Sequence, residues 1–168
     1  MNKILVLGLG NELLSDDAVG IIALKEIKKK YEHAIDFIES SESGLSLLDY
    51  IVGYKKVLIL DSILRENESP GTIEEIDILT MEEQHYSPHS PHYIGLPYTL
   101  KLAQYLQLDI PSVIKVIALN VEDPYTLREH TLTPKVAESL PFYIAIASAV
   151  LDGWLCPTDP PSSNDMLS

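Results

Sequence analysis

The sequence predicts an α/β fold, a three-layer sandwich built on a mainly parallel twisted sheet of about five strands, one of them antiparallel at the edge. Short, continuously apolar runs such as "ILVL", "KVLIL" and "VIKVIAL" are typical of strands buried on both faces. Segments with helical spacing of apolar residues alternate with these runs, which favours helices on both faces of a parallel sheet. The 168 residues, 46% of them hydrophobic, suffice for one core. We therefore predict a single domain over residues 1–155 and a disordered tail over 156–168.

The first half of the chain predicts three strands and two helices. The first strand runs to Leu7, because Gly8 and Gly10 follow the apolar run. A helix begins near Asp17, where apolar residues recur at helical spacing and lysines gather at the end that suits the helix dipole. The segments that follow predict a second strand, a short helix and a third strand: "AIDFIES", "GLSLLDYIV" and "KVLILD".

The second half begins with a strand of a different kind. "SPGTIEEIDI" predicts a turn and an alternating strand, which fits the antiparallel position at the sheet edge. After a polar, irregular segment from Met81 to Pro91, "PYTLKLAQYL" predicts a helix with Pro97 at its first position, and "VIKVIAL" a last buried strand. The final apolar segment, "LTPKVAESLPFYIAIASAVLDGWL", predicts a long helix with Pro134 near its start and an irregularity at Pro141.

Charge and composition exclude several classes of partner. Twelve basic and 25 acidic residues give a net charge of -13, which would repel nucleic-acid phosphates and anionic lipid. No run approaches the roughly 18 uninterrupted apolar residues of a membrane span, and the first residues lack a secretory signal pattern. We therefore expect a cytoplasmic protein with no nucleic-acid or membrane partner. The single cysteine, Cys156, has no internal disulfide partner.

The glycine turn "GLGNELLSDDAVG", residues 8–20, does not match a nucleotide-binding loop. A dinucleotide fingerprint needs a third glycine where this chain has Leu13, and Asp16 and Asp17 would repel a pyrophosphate. A P-loop is excluded as well, since no Lys followed by Ser or Thr is present. The two acids have a structural interpretation, in which one caps the helix and the other favours its dipole, and a functional one, in which they serve a site.

A second acid and a group of histidines favour the functional interpretation. Asp61 in "LILDS" ends the third strand at the carboxyl edge of the sheet, where ligands bind in such folds. "QHYSPHSPHYIGL" contains His85, His89 and His92, which are either solvated or metal-binding. Asp17, Asp61 and one imidazole would form a ligand set for zinc or nickel with open coordination positions. His33 and His130 are interpreted as surface residues.

"GLGNELLSDDAVG", "LILDS" and "SPHYIGL", in this order and spacing, resemble the hydrogenase maturation proteases, and "LTPKV" fits the same family. The resemblance implies an endopeptidase that trims the C-terminus of the nickel-iron hydrogenase large-subunit precursor. It implies Asp17 and Asp61 as acidic ligands and His92 as the histidine ligand. The metal would be nickel already held by the substrate, with zinc or cadmium as adventitious occupants. "SPHSPH" presents the motif twice, and the "IGL" that follows favours His92 over His89.

The sequence departs from the family at one turn, and it also bears on the mechanism of hydrolysis. Where relatives usually have a "DGGT"-like turn, this chain has "ESSESG" from Glu39 to Gly44, which bears on the identity of the client subunit. No serine lies in a nucleophile elbow, so hydrolysis would use a metal-polarised group with Asp17 or Asp61 as base. The alternatives are a metallohydrolase that holds its own zinc, and a non-catalytic module that binds a metal or a nucleotide.

Overall fold

A computed structural model describes residues 3–80, 92, 95–128 and 131–156. These described residues form one five-stranded sheet and four α-helices. The strands are β1 (Ile4–Leu9), β2 (Asp36–Ser40), β3 (Lys56–Ile63), β4 (Ile73–Asp77) and β5 (Val113–Asn120). The helices are α1 (Val19–Tyr31), α2 (Leu48–Ile51), α3 (Leu96–Tyr105) and α4 (Pro134–Leu155), and 3₁₀ turns over Ser15–Ala18 and Gly44–Leu47 precede α1 and α2.

The strand order β2-β1-β3-β5-β4 confirms the predicted sheet. The first four strands in this order are parallel, and β4 pairs with β5 in the antiparallel direction at the edge. β2 lies on one side of β1, and the later strands β3, β5 and β4 all lie on the other side. The topological switch point therefore lies between β1 and β3, and the crevice at their carboxyl ends is the expected ligand site in a doubly wound sheet.

Two apolar clusters cover the two faces of the sheet and make the predicted three layers. On one face, side chains of α1 and α4 pack against alternate residues of the central strands, with Val6, Leu58 and Leu60 among them. On the other face, α2 and α3 pack against the intervening residues, which include Leu7 and Ile59. This alternation follows from the two-residue period of a strand. The same alternation determines on which face of the sheet each polar residue at the end of β3 lies.

The C-terminal helix α4 differs from the expectation in one respect. It continues through Pro141 as a single helix of 22 residues, so the predicted irregularity is wrong. The face of α4 that carries Val136, Tyr143, Ala147 and Leu151 is buried against the core. Packing of this face holds the helix together where Pro141 removes one backbone donor. By length and composition alone, α4 is also the one helix in the described part of the chain that could cross a membrane.

Some sequence predictions fall outside the described residues or remain untested. The polar segment from Met81 to Pro91 lies outside them, and so does the predicted tail beyond Cys156. The division into a domain over 1–155 and a tail over 156–168 stays a prediction. Element boundaries elsewhere agree with the expected segments to within a few residues.

Candidate active site

Two glycines explain why the first loop can close onto the sheet. Gly10 has a φ of +139°, and a Cβ placed there would lie 2.0 Å from the carbonyl oxygen of Asp17. A Cβ on Gly20 would lie 2.4 Å from the carbonyl oxygen of Leu60 and 2.7 Å from that of Leu9. Only glycine permits these approaches. The glycine turn therefore serves to bring the acids of the 3₁₀ turn to the carboxyl ends of β1 and β3.

Asp17 lies in this 3₁₀ turn with its carboxylate fixed on both oxygens. Its Oδ2 accepts a hydrogen bond from the backbone N–H of Asn11 at 2.9 Å, and its Oδ1 accepts one from the hydroxyl of Ser62 at 3.0 Å. The side chain is buried except for a small accessible fraction. Burial raises the pKa of Asp17 above its ordinary value, against the opposing effects of the positive charge on His92 and the hydrogen bond from Ser62.

Asp16, next to it, points elsewhere. Its Oδ1 accepts a hydrogen bond from the N–H of Thr133 at 2.7 Å, and its Oδ2 accepts one from the Thr133 hydroxyl at 2.9 Å. Oδ2 also accepts the N–H groups of Glu122 and Asp123, at 3.1 and 2.9 Å. Neither acid caps the turn or α1, since no side-chain cap hydrogen bond is present at either N-cap. The predicted helix cap is therefore wrong, although both acids lie in the first turn of the 3₁₀ segment before α1. Each carboxylate has a long-range partner.

The end of β3 supplies two polar side chains to opposite faces of the sheet. Leu58 and Leu60 belong to the cluster under α1 and α4, so Ser62 lies on that face and reaches Asp17. Asp61 lies on the face of α2 and α3, where its Oδ1 is 3.0 Å from Nδ1 of His92. The same Oδ1 accepts the backbone N–H of Ser62 at 2.8 Å. Asp61 is fully buried. Asp61 and Ser62, adjacent in one strand, therefore connect His92 on one face of the sheet with Asp17 on the other.

His92 is buried beside the switch point and is held at its ring and its backbone. With Asp61 ionised, Nδ1 donates to Oδ1, and Nε2 is the remaining ring nitrogen. The carbonyl oxygen of His92 accepts the N–H of Gly44 at 3.3 Å, which connects His92 to the unusual Glu39–Gly44 turn. Burial lowers the pKa of His92, but the hydrogen bond to Asp61 and the charges of Asp61 and Asp17 outweigh it. The net pKa is therefore raised.

A cleft of about 290 Å³ opens at this edge of the sheet. Asp17, His92 and Ser62 line it, together with Ser41 of the Glu39–Gly44 turn and Tyr125 of the loop after β5. Asp61 is not among the lining residues and contacts the ring of His92 instead. The structure thus joins Asp17, Ser62, Asp61 and His92 in one hydrogen-bonded series. Among the described residues, no three His, Cys, Asp or Glu side chains are grouped closely enough to hold a metal ion.

Several residues of the site were missed from sequence. Ser62 follows Asp61 directly, and strand alternation predicts that it reaches the opposite face. Tyr125 follows the carboxyl end of β5, the same edge as the site. Tyr143 of α4 places its hydroxyl 2.8 Å from the carbonyl oxygen of Ile117 and 3.2 Å from that of Asp61. No local signal identifies Tyr143, because its partners lie 26 and 82 residues away in sequence.

The remaining histidines and the cysteine lie elsewhere. The side chain of His33 is 95% exposed, as predicted for a surface residue. His85, His89 and His130 lie outside the described residues. Cys156 is exposed just after α4, whose Trp154 lies 5.7 Å from the ammonium of Lys56. Since Lys56 begins β3, Cys156 lies toward the amino edge of the sheet, away from the cleft.

Comparison with known proteins identifies this arrangement. A family model described as hydrogenase maturation protease matches residues 17–150. The chain belongs to this family. The hydrogenase 2 maturation protease of Escherichia coli (strain K12) is 28% identical over 142 residues, which cover 80% of this chain and 81% of that protein. The chain is therefore a peptide hydrolase of the maturation protease family, and the resemblance found in the motifs is confirmed.

Solved structures show the same fold. The hydrogenase maturating endopeptidase HybD from E. coli superposes with a TM-score of 0.68 at 23% identity, over 90% of this chain and 93% of that one. The nickel-iron hydrogenase maturation protease HybD from Thermococcus kodakarensis gives a TM-score of 0.69 at 24% identity, over 88% and 98% of the two chains. This maturation protease thus has the α/β fold of these neighbours along nearly its whole length.

Proposed function

We propose that this protease removes the C-terminal extension of a nickel-iron hydrogenase large-subunit precursor after nickel insertion, and that it recognises the nickel bound in the substrate. The observation that supports the proposal most is the cleft lined by Asp17 and His92 at the topological switch point. A carboxylate and an imidazole suit a borderline metal ion whose other ligands come from a second protein. Binding would then depend on the presence of that metal.

The three residues have different parts in this proposal. Asp17 and His92 line the cleft, and the nitrogen of His92 that would bind the metal is Nε2, because its Nδ1 is engaged by Asp61. A histidine ligand whose other nitrogen donates to a carboxylate is held in one tautomer and orientation, and it is a better donor to a metal. Asp61 therefore positions His92 in the geometry described. Its role as a direct ligand stays a prediction, since Asp61 does not line the cleft. Adventitious zinc or cadmium would occupy the same residues.

Hydrolysis in this proposal uses water and a carboxylate. The water oxygen forms a bond to the scissile carbonyl carbon, the carbon–nitrogen bond breaks, and the water proton passes through a base to the leaving amine. Asp17 is the carboxylate that lines the cleft, and its raised pKa suits a group that accepts a proton. Cys156 takes no part, because it is exposed beyond the end of α4. We further propose that the reaction takes place in the cytoplasm.

The experiment compares nickel-loaded with nickel-free precursor of the organism that encodes this chain. Release of the C-terminal extension is followed by mass spectrometry with the wild type, Asp17→Asn, His92→Ala and the control Cys156→Ser. We expect cleavage of the nickel-loaded form only, strong loss in the first two variants, and none in the control. Equal cleavage of both forms would contradict recognition of nickel and favour a metallohydrolase with its own zinc. Binding of precursor without any cleavage would favour a non-catalytic module.

A further inference from the structure

Part of the cleft is formed by the loop after β5, residues 121–128. Val121, Pro124 and Tyr125 line the cleft from this loop, together with residues of the glycine turn. Tyr125 is nevertheless 75% exposed, so most of its ring is accessible at the mouth of the cleft. A polypeptide that reaches Asp17 and His92 from the side of this loop would therefore pass close to Tyr125.

One further apolar side chain extends this surface. Leu127 is 75% exposed, and it forms an antiparallel bridge with Leu14, which lines the cleft. Directly opposite residues of an antiparallel pair have their side chains on the same face, so Leu127 lies on the face of Leu14. We call these two exposed side chains, Tyr125 and Leu127, the apolar rim. Exposed apolar side chains next to a cleft are typical of a surface that binds another chain.

The backbone beneath the apolar rim is held firmly by buried polar contacts. The fully buried carboxylate of Asp16 accepts the N–H groups of Glu122 and Asp123, and the N–H of Asp16 donates to the carbonyl oxygen of Asp123 at 3.1 Å. The carboxylate of Asp123 in turn accepts the N–H of Tyr125 at 3.1 Å. A surface fixed in this way loses little conformational entropy when a partner binds. The contacts thus favour a preformed binding surface.

We propose that the apolar rim binds an apolar, extended segment of the precursor polypeptide beside the bond to be cleaved, and that Asp16 is a positioning residue for this surface. The inference rests on the proposed function and adds to it the part of the protein that holds the peptide. Continuity with the cleft argues for this occupant, because a precursor segment that leaves Asp17 on the side of the loop after β5 lies across the rim. A second copy of this chain on the rim would instead cover the cleft.

The test measures KM and kcat for nickel-loaded precursor and, separately, the dissociation constant of the complex. Tyr125→Ala is expected to raise KM and the dissociation constant about ten-fold, with kcat changed less than two-fold. Tyr125→Phe should restore wild-type values, since it keeps the ring. Tyr105→Ala is the matched control: Tyr105 is 85% exposed at the end of α3, toward the opposite edge of the sheet. It should change neither constant.

A double-mutant cycle tests the part played by Asp16. If Asp16 acts through the rim, Asp16→Asn raises KM, and the combination with Tyr125→Ala raises it no more than the larger single effect. Additive effects would show that Asp16 is structural only and would overturn its positioning role.

If the wild type binds precursor and Tyr125→Ala binds it equally well, the inference is wrong. It is also wrong if the wild type forms a dimer that dissociates in Tyr125→Ala, because the rim would then bind a second copy of this chain. Binding without cleavage by the wild type would contradict the proposed function instead and leave the rim supported by its effect on the dissociation constant.

Discussion

Replacement of Asp16 by alanine is expected to destabilise the fold although the residue lies outside the proposed ligand set. The carboxylate accepts four hydrogen bonds, from two donors on Thr133 and from the N–H groups of Glu122 and Asp123. Hydrogen bonds to a charged group contribute roughly 1.5–3 kcal/mol each, but water and relaxation recover part of this in a variant. We therefore expect Asp16→Ala to lower the free energy of unfolding by about 4 kcal/mol, and Asp16→Asn by about 2–3 kcal/mol because one acceptor oxygen is retained.

The assay is urea denaturation followed by circular dichroism, with thermal unfolding as a second measurement. For a domain of this size, a loss of about 4 kcal/mol corresponds to a fall in Tm of roughly 8–16 °C. Asp49→Ala is the control, since Asp49 is an exposed acid on α2 and its loss should change stability by less than about 0.5 kcal/mol. A loss below about 1 kcal/mol in Asp16→Ala would refute the reasoning that this carboxylate holds the loop after β5 and the start of α4.

Two further predictions concern the glycine turn and His92. Gly20→Ala should cost about 1–3 kcal/mol or more in unfolding free energy, because its Cβ would lie 2.4 Å from the carbonyl oxygen of Leu60. Gly153→Ala, with nothing within 4 Å of the added Cβ, should be neutral or stabilising, and equal effects in the two would refute the packing argument. An NMR titration of the His92 imidazole should give a midpoint above 6.5 that falls in Asp61→Asn, and a midpoint at or below 6.5 would contradict the structure. Because the folded pKa exceeds the unfolded one, His92 stabilises the fold below pH 6.5, and this contribution is lost as the pH rises through the folded pKa.

The fold and the position of the site could be predicted because their signals are local. Apolar runs bounded by glycine give the strands, and parallel strands bring the residues after β1 and β3 to one edge. Asp17 and Asp61 could thus be assigned to the same site, as could His92 once the family motif was considered. Strand alternation also predicts that Ser62 and Asp61 lie on opposite faces of the sheet. The motif "LILDS" by itself indicates only Asp61 as a site residue.

The remainder of the site depends on contacts that no local pattern encodes. The partners of Asp16 lie 106 to 117 residues away. Neither interpretation drawn from the sequence, a helix cap or a site residue, therefore included its contacts to a distant loop. The contact between the buried Asp61 and His92 likewise joins residues that lie 31 positions apart in the sequence. Pro141 was expected to disturb α4, but a fully buried face keeps the helix continuous. In each case tertiary packing outweighs the local preference.

The most direct test of the central claim is the ratio of two dissociation constants, for nickel-free and for nickel-loaded precursor, measured with the wild type and with His92→Ala. If the site recognises the metal held by its substrate, the wild type binds the nickel-loaded form at least ten-fold more tightly, and the ratio falls close to one in His92→Ala because the variant has lost a ligand. A ratio of one in the wild type, or a large ratio that persists in His92→Ala, would contradict the account.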